Sequence, residues 1–483
     1  MEPIVLVDFG STYTKLTLVC KTQGDIIATA KAYTTVDSDI MTGYFRAFDA
    51  LKINPKMKEV EWPDPITYKV CSSAAGGLKM SVSGLVQELT VEAAKLACLG
   101  SGAKILSVYS NKLTHKSMSK LVEEKPDIIM LSGGTNGGNV DCIMHNASLL
   151  AQMKTKIPVV VAGNNQVEDE IGQLLIEADI EHVLVENVMP QLNEINIEPA
   201  RDSIRTLFME RIIDAKGLSQ AREKLNREVI PTPLAVLRAA ELLSTGTSKT
   251  PGWGQVLIVD IGGATTDVHS ICHGHPTSSN VVRTGLIEPR VKRTVEGDLG
   301  MRVSALSLYE AVGESRLSEV KESLDKQKKI VLSPLNRHEP NRVNDFKADC
   351  MFRVKHTDYI CKEDHEKDID DVMASCAVEL AVERHAGRIE SVYSPMGMIF
   401  YQKGKDLSKV EHIIGTGGIL VHSGNAKEIL SYALWSEASQ EILKPKAPQM
   451  YIDRSYILSC AGLLARDYPE LSMKIMNKYI VGI

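Results

Sequence analysis

The sequence lacks the signals of secreted, membrane-spanning and nucleic-acid-binding proteins. It has no uncharged run of about 18 or more apolar residues, and it enters an apolar strand by Ile4 without a basic leader segment. The nine cysteines are an odd number without a C-x-x-C pair, so we interpret them as reduced, mostly buried thiols. The net charge of -6 disfavours general nucleic-acid binding. We therefore expect a cytoplasmic protein without membrane or nucleic-acid partners.

Several common catalytic loops are missing as well. The chain contains no G-x-x-x-x-G-K-[ST], no G-x-G-x-x-G after its first strand and no G-x-S-x-G elbow. These absences exclude a standard P-loop, a Rossmann dinucleotide loop and an α/β-hydrolase nucleophile. With 483 residues, 44% of them hydrophobic, the chain is nevertheless long enough for two or three domains with cores of their own.

A short acidic phrase occurs once in each half of the chain, after an apolar run of strand-forming residues. It reads DFGSTYTK at Asp8–Lys15 and DIGGATTD at Asp260–Asp267. In each copy a strand ends in a carboxylate, and a glycine without Cβ lets backbone N–H groups approach an anion. Hydroxyls that can donate to the anion follow. A duplicated phosphate loop predicts a phosphate held between two similar domains, although a single D-x-G-[ST] is also a common strand-to-turn sequence.

The acids of the two loops indicate a metal ion. Asp8 and Asp260 would repel a phosphate. A hard cation such as Mg²⁺, bound between the carboxylates and the phosphate oxygens, removes this repulsion. We therefore predict ATP and Mg²⁺ as cofactors. Asp8 and Asp260 are the predicted catalytic and metal-binding residues, and Lys15 is predicted to reach a β- or γ-phosphate. The other loop residues predicted to bind the nucleotide are Gly10, Ser11, Thr12, Thr14, Gly262, Gly263, Ala264, Thr265 and Thr266.

The second half also contains a candidate adenosine site. The stretch EGDLGMR places an acid between two glycines at the expected start of a helix, and the stretch HIIGTGGIL runs from a strand into a glycine turn. Close approach of the backbone at such a turn would let adenine and ribose lie against the main chain. The residues predicted here to bind the nucleotide are Asp298, Gly415, Gly417 and Gly418.

Strand and helix patterns alternate along the chain, which predicts an α/β fold with parallel sheet. Strands are expected at residues 16–20 and 26–30, helices at 38–50 and 82–97, and a small inserted parallel sheet at about 100–190. Residues 203–243 are strongly helical, and their last helix is expected to begin near Pro231. The glycine-rich loop at residues 133–139 is either a further ligand loop or a tight turn into a helix.

Two charged or histidine-rich stretches do not indicate a catalytic site. The stretch after the second loop contains His269, Cys272, His273 and His275. Strand alternation puts the histidines on one side and the cysteine on the other, so they cannot form a compact zinc site without a further turn. The mixed-charge residues 321–329 are interpreted as a solvated helix face.

The order of these motifs resembles that of the actin, sugar kinase and heat-shock chaperone ATPase superfamily. DFGSTYTK, DIGGATTD, GTGG and the later SCAGLLA at residues 459–465 match its phosphate 1, phosphate 2, adenosine and final connecting-helix motifs. More narrowly, MLSGGTNGG, LIVDIGGATTDV and VKRTVEGDLGMR are similar to the glutamate mutase L proteins, accessory ATPases of adenosylcobalamin-dependent mutases. This narrower resemblance covers nearly the whole chain. The glutamate mutase L proteins are unrelated to the mismatch-repair protein of similar name.

The resemblance implies a two-lobed actin-like fold, made of duplicated ribonuclease H-like domains with an inserted parallel sheet. The first lobe is expected at residues 1–245 with its insert at about 100–200, and the second at 246–450. A C-terminal helix at 451–483 would return to the first lobe. The implied function is ATP binding and hydrolysis by a chaperone-like reactivating factor. Its implied partners are the subunits of an adenosylcobalamin-dependent mutase such as glutamate mutase.

Two other functions are compatible with the same motifs. A small-molecule kinase shares this fold and needs a carboxylate base that faces an acceptor pocket. The sequence does not exclude Asp267 from this role. A nucleotide-gated scaffold would bind ATP with little turnover. Phosphate release from ATP distinguishes the three functions, because only the ATPase releases phosphate without an added acceptor.

Overall fold

The computed structural model describes residues 2–10, 13–35, 39–56, 60, 62, 66–73, 78–208, 225, 229–331, 345–395 and 397–483. The strands are β1 Pro3–Phe9, β2 Tyr13–Cys20, β3 Ile26–Tyr33, β4 Thr67–Ser72, β5 Lys79–Gly84, β6 Lys104–Ser110, β7 Ile128–Leu131, β8 Val159–Val161, β9 His182–Leu184, β10 Val229–Pro231, β11 Val256–Ile261, β12 Thr266–Ile271, β13 Val281–Thr284, β14 Val291–Glu296, β15 Arg388–Ser394, β16 Gly397–Lys403, β17 His412–Thr416, β18 Gln449–Asp453 and β19 Ile480–Gly482. The helices are α1 Ile40–Ile53, α2 Glu92–Gly100, α3 His115–Glu123, α4 Asp141–Met153, α5 Glu168–Glu177, α6 Glu198–Leu207, α7 Thr232–Thr245, α8 Ala305–Val312, α9 Glu314–Val331, α10 Phe346–Lys355, α11 Asp364–His385, α12 Gly418–His422, α13 Ala426–Ser431, α14 Ile457–Leu464 and α15 Pro469–Tyr479.

The two acidic loops lie in two sheets of the same topology. The first sheet has the order β10-β4-β1-β2-β3, and the second has the order β14-β12-β11-β17-β18, with β19 added at its outer edge. In both sheets the central strand pairs antiparallel with the strand that follows it and parallel with a strand on its other side. One five-stranded ribonuclease H-like unit therefore occurs twice, and the predicted two-lobed actin-like α/β fold is confirmed.

The strand register puts the two loops in equivalent positions. Asp8 at the end of β1 pairs with Lys15 on β2, and Asp260 at the end of β11 pairs with Asp267 on β12. Paired residues of antiparallel strands lie on the same face of the sheet, so each loop acid shares a face with the last residue of its phrase. The two lobes differ at this equivalent position, because the first has a lysine where the second has an aspartate.

A third sheet, with five parallel strands in the order β6-β5-β7-β8-β9, is inserted between β4 and β10. The prediction of a helix over residues 82–97 is wrong at its start, because Lys79–Gly84 forms β5 and helical structure begins only at Gln87. The inserted sheet thus begins before the predicted span of 100–190. Residues 79–83 of β5 do alternate polar and apolar side chains, but this stretch is short and helical structure follows it within three residues, so the predicted helical pattern extends over it.

Helix α7 begins at Thr232, directly after Pro231, as the sequence predicts. Proline at the start of a helix fixes φ where no intrahelical N–H bond is needed. The predicted helical span of residues 203–243 is interrupted before α7 by the short strand β10. Residues 209–224 and 226–228 of that span lie outside the described residues.

One hydrophobic core joins the two lobes. Leu6 of β1, Ile258 of β11 and Leu458 of α14 belong to the same cluster of buried side chains as the apolar residues of α7. Helices α7 and α14 cross closely, because a Cβ on Gly462 would lie only 1.7 Å from the carbonyl oxygen of Ala235. Helix α14 corresponds to the helix predicted at residues 459–465 and packs against β1 and β4, whereas the last strand, β19, pairs with β18 in the second sheet.

The second lobe carries an addition of its own, a three-stranded sheet in which β16 lies between β13 and β15. The helices α8, α9, α10 and α11 share a separate core with β11 and β12. Over the part of the chain that the structure describes, we find no helix with the length and apolarity of a membrane span.

Candidate nucleotide site

Asp8 is held at the end of β1 by two hydroxyl groups. Its Oδ1 accepts a hydrogen bond from Thr232 Oγ1 at 2.8 Å, and its Oδ2 accepts one from Ser459 Oγ at 3.2 Å. Thr232 opens α7 and Ser459 lies in α14, so the carboxylate is fixed between the two central helices. A carboxylate has about four lone-pair sites, which leaves capacity for a metal ion or its water ligands.

Asp260 occupies the equivalent position in the second lobe, and its carboxylate accepts no hydrogen bond from the described residues. Burial raises the pKa of Asp260 to about 7, with a further contribution from the carboxylate of Asp267. Among the smaller effects, Asp453 and Asp8 raise this pKa and Lys15 lowers it. A divalent cation would favour the ionised form of this carboxylate, so the residues present fit the predicted Mg²⁺.

The two loop acids are the carboxylates that would hold such an ion. Within the described ranges, no three His, Cys, Asp or Glu side chains lie close enough together to hold a metal ion between them. The other ligands of Mg²⁺ at Asp8 and Asp260 would therefore be phosphate oxygens and water, which Mg²⁺ retains readily.

Lys15 contacts an aromatic ring from the second half of the chain. Its Nζ lies 3.8 Å from the centroid of the Tyr456 ring, a cation–π contact. Tyr456 precedes α14 with a φ of +51°, a left-handed conformation that is rare for a bulky residue. Burial, and then the charge of Asp260, raise the pKa of the Tyr456 phenol. Sequence reasoning missed Tyr456, and the one signal for it is its position just before the predicted SCAGLLA helix.

The backbones of the two loops form the same turn. The N–H of Gly10 donates to the carbonyl of Tyr13 at 3.0 Å, and the N–H of Gly262 donates to the carbonyl of Thr265 at 2.9 Å. A Cβ on Gly10 would lie 2.7 Å from the same Tyr13 oxygen, so the turn requires glycine at this position. The duplicated phrase therefore produces a duplicated backbone conformation.

The tips of the two loops differ in how much of them the structure describes. Gly263 is exposed and Ala264 is half-buried at the tip of the second loop. Ser11 and Thr12, at the tip of the first, lie outside the described residues. The segment after β14 supports the second tip, because the N–H of Arg302 donates to the carbonyl of Gly263 at 2.8 Å.

Two of the predicted hydroxyl donors already have other partners. The Thr14 hydroxyl lies 3.1 Å from that of Thr34, and the Thr266 hydroxyl donates to the carbonyl of Leu299 at 2.6 Å. Both side chains are fully buried. Alternation along β2 and β12 puts them on the sheet face opposite to the acid of their own lobe. Their hydroxyls therefore stabilise the two lobes from the far side of each sheet.

Asp298 is fixed by an ion pair. Both of its oxygens accept from the guanidinium of Arg384, at 2.7 and 2.9 Å, and Arg384 also donates to Glu296 at 2.7 Å. The hydrogen bond from Arg384 lowers the pKa of Asp298. The predicted helix at this position begins later, at Ala305, because the intervening residues turn beneath the second loop.

The three predicted glycines of the GTGG turn have different surroundings. A Cβ on Gly415 would meet apolar core side chains at 2.9 Å, and one on Gly417 would lie 2.2 Å from the carbonyl oxygen of Ile261. Gly417 also has a φ of +95°, which glycine adopts without strain. A Cβ on Gly418 would have only the Tyr456 hydroxyl near it, at 3.6 Å. Gly418 is therefore the one of these three with room for a ligand beside it.

Asp267, the residue that could serve as the base of a kinase, forms an ion pair in the structure. Arg293 on β14 donates to its Oδ1 through Nε at 2.9 Å and through Nη2 at 2.5 Å, and Thr265 donates to its Oδ2 at 3.1 Å. Both oxygens of Asp267 are thus engaged, and a role as proton acceptor would require its pair with Arg293 to break.

The glycine loop at residues 133–139 is closed by asparagine side chains. Asn187 Nδ2 donates to the carbonyl of Gly134 at 3.0 Å, and Asn164 Nδ2 donates to that of Gly138 at 3.2 Å. Gly134 has a φ of +71°, and a Cβ on it would lie 2.0 Å from a backbone oxygen. The turn into α4 therefore requires this glycine whether or not a ligand binds.

The histidines and thiols do not form a common site within the described ranges. His269 is buried on β12, and burial lowers its pKa to about 3. The rings of His273 and His275 stack with their centroids 5.8 Å apart. All nine cysteines are free thiols, and all of them except Cys361 are buried.

Two copies of one sheet, each with an acidic glycine loop at the end of its central strand, define a two-lobed actin-like protein with a candidate nucleotide site between its loops. The family model described as MutL protein matches residues 4–480. The Protein MutL of Clostridium tetanomorphum is 48% identical over 483 residues and covers 100% of both chains. The chain therefore belongs to the MutL protein family, which confirms its resemblance to the glutamate mutase L proteins.

Solved structures show more distant likenesses over most of the chain. The activator of the 2-hydroxyisocaproyl-CoA dehydratase from Clostridium difficile, with bound ADPNP, is 10% identical with a TM-score of 0.30, covering 100% of this chain and 99% of that one. A ligand-bound xylulose kinase from Lactobacillus acidophilus is 9% identical with a TM-score of 0.34, covering 100% and 93%. A glycerol dehydratase reactivase is 10% identical with a TM-score of 0.33, covering 96% and 99%. These TM-scores are low, so the fold assignment rests on the strand topology of this chain.

Proposed function

We propose that this protein binds and hydrolyses Mg·ATP between its lobes and acts as a chaperone-like reactivating factor for an adenosylcobalamin-dependent mutase such as glutamate mutase. The observation that carries the proposal is the equivalence of Asp8 and Asp260 at the ends of the central strands of two matching sheets. The electrostatic effect of Asp8 and Lys15 on Asp260 supports a single site formed by both loops.

The main residues of this site have separate roles in the proposal. Asp8 and Asp260 would hold Mg²⁺, which neutralises the charge of the β- and γ-phosphates when it is bound. Lys15 would add a positive charge from the first lobe. The loop backbones after Gly10 and Gly262 would lie against the phosphates, and Gly418 would lie beside the adenosine. Phosphoryl transfer requires mainly positioning and charge stabilisation, which these groups supply without an elaborate general base.

A proton must leave the attacking water. Of the two loop acids, Asp260 is the better acceptor, because Asp8 already accepts hydrogen bonds from Thr232 and Ser459. Such bonds occupy lone pairs of the Asp8 carboxylate. Burial raises the pKa of Asp260 to about 7 in the absence of a metal ion, and bound Mg²⁺ would lower it, so the role of Asp260 as acceptor rests on its free lone pairs.

The support for a mutase partner is family membership. Members that act on such a mutase would exchange a cobalamin that has lost its adenosyl group for an intact one. In this proposal, the motion of the lobes would separate the mutase subunits so that the exchange can take place. A nucleotide that binds both loops favours the closed arrangement of the lobes, and hydrolysis releases it. The partner subunits would respond to that difference in lobe arrangement.

The experiment that tests the chemistry is phosphate release by the purified protein with Mg·ATP and no acceptor. Slow release supports the proposal, and release only after a metabolite is added would indicate a kinase instead. Tight binding of ATP without turnover would indicate a nucleotide-gated scaffold. The ion pair of Asp267 with Arg293 favours hydrolysis over the kinase, because it removes the available candidate base.

A further inference from the structure

The short helix α12 has an exposed face at the candidate nucleotide site. Leu420 is 1% exposed and Val421 is 7% exposed, whereas Gly418 and His422 are both exposed. Residues four apart lie on the same face of a helix, about one turn from each other. His422 therefore lies on the same side of α12 as Gly418, the glycine that has room for a ligand beside it.

The His422 ring lies beside the ring of Tyr456. The centroids of the two rings are 6.1 Å apart, and their planes are inclined by 53°. The Tyr456 hydroxyl lies 3.6 Å from the position of a Cβ on Gly418, and Lys15 Nζ lies 3.8 Å from the centroid of the Tyr456 ring. Tyr456 thus contacts both the lysine predicted to bind phosphate and the surroundings of the predicted adenosine glycine, and His422 packs beside it.

His422 belongs to the second lobe but lies near cations of the first lobe. Partial burial lowers the pKa of the His422 imidazole, and the positive charges of Lys31 and Lys15 lower it further. Lys15 pairs with Asp8 on β1 and with Lys31 on β3. Paired residues of antiparallel strands share a sheet face, so both cations lie on the face that presents the first loop acid. The His422 ring is therefore close to the side of the first sheet that faces the candidate site.

The His422 ring is available to a ligand. It is exposed, and its ring nitrogens form no hydrogen bond with the described residues. Nucleobases stack on aromatic side chains, and this stacking tolerates any base because every base has a π face. Lys15 and the two loop acids lie where the phosphates are expected, whereas His422 is one helical turn from the glycine expected beside the nucleoside. Its position therefore suits the base of a nucleotide better than the phosphates.

We propose that His422 is a base-binding residue, whose imidazole stacks on the base of the bound nucleoside triphosphate while Tyr456 supports the imidazole. This inference rests on the proposed function and adds a division of roles to it. Lys15 binds the phosphates, and His422 binds the base. Inorganic tripolyphosphate has the phosphates of ATP without the base, so His422 should contribute to the affinity for ATP alone, whereas Lys15 should contribute to the affinity for both ligands.

Calorimetric titration with Mg·ATP and with Mg·tripolyphosphate tests this division. His422→Ala should lower the affinity for ATP about tenfold or more and leave the affinity for tripolyphosphate unchanged. Lys15→Met should lower both affinities. His422→Phe keeps an aromatic ring and should keep most of the affinity for ATP. The matched control is His115→Ala, which removes an exposed histidine at the start of α3 and should change neither affinity.

The side chain of His422 is exposed, so its variants should keep the melting temperature of the unchanged protein. Equal ATP affinity in His422→Ala and the unchanged protein would overturn the proposal, as would equal losses in His422→Ala and His422→Phe. A parallel loss of tripolyphosphate affinity in His422→Ala would also overturn it, because the histidine would then act on the phosphates. These outcomes concern the base contact alone. An unchanged protein that binds neither ATP nor tripolyphosphate would contradict the proposed function itself, and the base contact with it.

Discussion

Arg293 connects Asp267 of the second acidic loop to the inserted sheet. Its Nε and Nη2 donate to Asp267, while its Nη1 donates to the carbonyls of Leu99 at 3.1 Å and Ala103 at 2.9 Å. The Arg293 side chain is 2% exposed and that of Asp267 is 11% exposed. The buried guanidinium of Arg293 therefore links Asp267, the strand partner of Asp260, to the end of helix α2. Helix α2 is far from Asp267 in sequence.

The first prediction concerns this link. Arg293→Met leaves Asp267 buried without its cation, and removal of one partner of a buried pair costs about 3–5 kcal/mol. We expect a large fall in the melting temperature, and recovery of part of it in the double variant Arg293→Met/Asp267→Asn, which removes the unpaired charge. Scanning calorimetry measures both changes.

The control for that experiment is Arg384→Met. Arg384 is 34% exposed and pairs with Asp298, which is 38% exposed, and with Glu296, which is 15% exposed, so its ion pairs are better solvated than that of Arg293 and should contribute less to stability. Its variant should therefore melt at a higher temperature than Arg293→Met. Similar melting temperatures for the Arg293 and Arg384 variants would show that burial of the Arg293 pair does not matter.

The second prediction separates the roles of the two loop acids. Asp260→Asn should abolish Mg²⁺-dependent ATP hydrolysis without lowering the melting temperature, because it removes a charge from a cluster of carboxylates. Asp8→Ala should abolish hydrolysis and also destabilise the fold by about 1–3 kcal/mol, since the hydroxyls of Thr232 and Ser459 lose their acceptor. Phosphate release and calorimetry on both variants test this, and normal turnover in Asp260→Asn would remove the acid from the proposed mechanism.

The third prediction distinguishes two neighbouring glycines. Gly418→Val adds a side chain where only the Tyr456 hydroxyl is near, so the fold should persist while ATP affinity falls about tenfold or more. Gly417→Val places its Cβ against the backbone of Ile261, so it should impair folding instead. Far-ultraviolet circular dichroism and ATP titration distinguish the outcomes. Unchanged ATP affinity in a folded Gly418→Val protein would place the adenosine elsewhere.

The sequence was sufficient to predict the duplicated fold and the position of its loops. Each loop combines local features, an apolar strand, an acid and a glycine, and their repetition predicts two sheets without knowledge of any long-range contact. The turn from Gly10 to Tyr13 and the turn from Gly262 to Thr265 have the same hydrogen bond, as a repeated phrase should give.

The sequence was not sufficient to find contacts between distant segments. Tyr456 contacts Lys15 and Arg293 contacts the end of α2, but no local pattern indicates either pair. Strand β5 was missed for a different reason, since its short alternating stretch is followed within three residues by helical structure. The hydroxyls of Thr14 and Thr266 were assigned to phosphate from their place in the phrase, whereas strand alternation directs them to the opposite face.

The fourth prediction is that Lys405 makes the free energy of unfolding depend on pH. This lysine is buried, its Nζ donates to the carbonyls of Pro289 and Arg290 at 2.8 Å, and burial lowers its pKa to about 8 from 10.5. Between these two values the unfolded chain binds more protons than the folded one, so this group makes folding more favourable as pH rises. The gain is about 3 kcal/mol, at about 1.4 kcal/mol per pKa unit.

The test compares variants at pH about 8 and about 10. The variant Lys405→Met should lack this gain in stability. The melting temperature of the unchanged protein should therefore rise relative to that of the variant as the pH rises. The exposed Lys409 provides a matched control, because Lys409→Met should follow the unchanged protein across the same pH range. A constant difference between Lys405→Met and the unchanged protein would mean that Lys405 titrates normally in the folded state.

The fifth prediction concerns coupling between nucleotide and partner, and it rests on the proposed function. The γ-phosphate is the group that both loops can contact at once, so ATP should favour the closed lobe arrangement more than ADP does. A mutase that prefers one arrangement must then bind with nucleotide-dependent affinity, because coupling between two binding sites is reciprocal. We expect the affinity for purified glutamate mutase subunits to differ between no nucleotide, ADP and a non-hydrolysable ATP analogue.

The variant Asp260→Asn provides the control for that measurement, since it should remove the difference between ADP and the ATP analogue while leaving the nucleotide-free affinity unchanged. The arginine at 293 provides a second control for the route of the coupling. Arg293→Lys keeps the positive charge but loses the forked guanidinium that contacts both Asp267 and α2. If this contact transmits the nucleotide-dependent change, the variant should show a smaller difference in mutase affinity between nucleotides and should still hydrolyse ATP. Three equal affinities for a verified mutase partner would rule out nucleotide-driven reactivation, even for a protein that hydrolyses ATP.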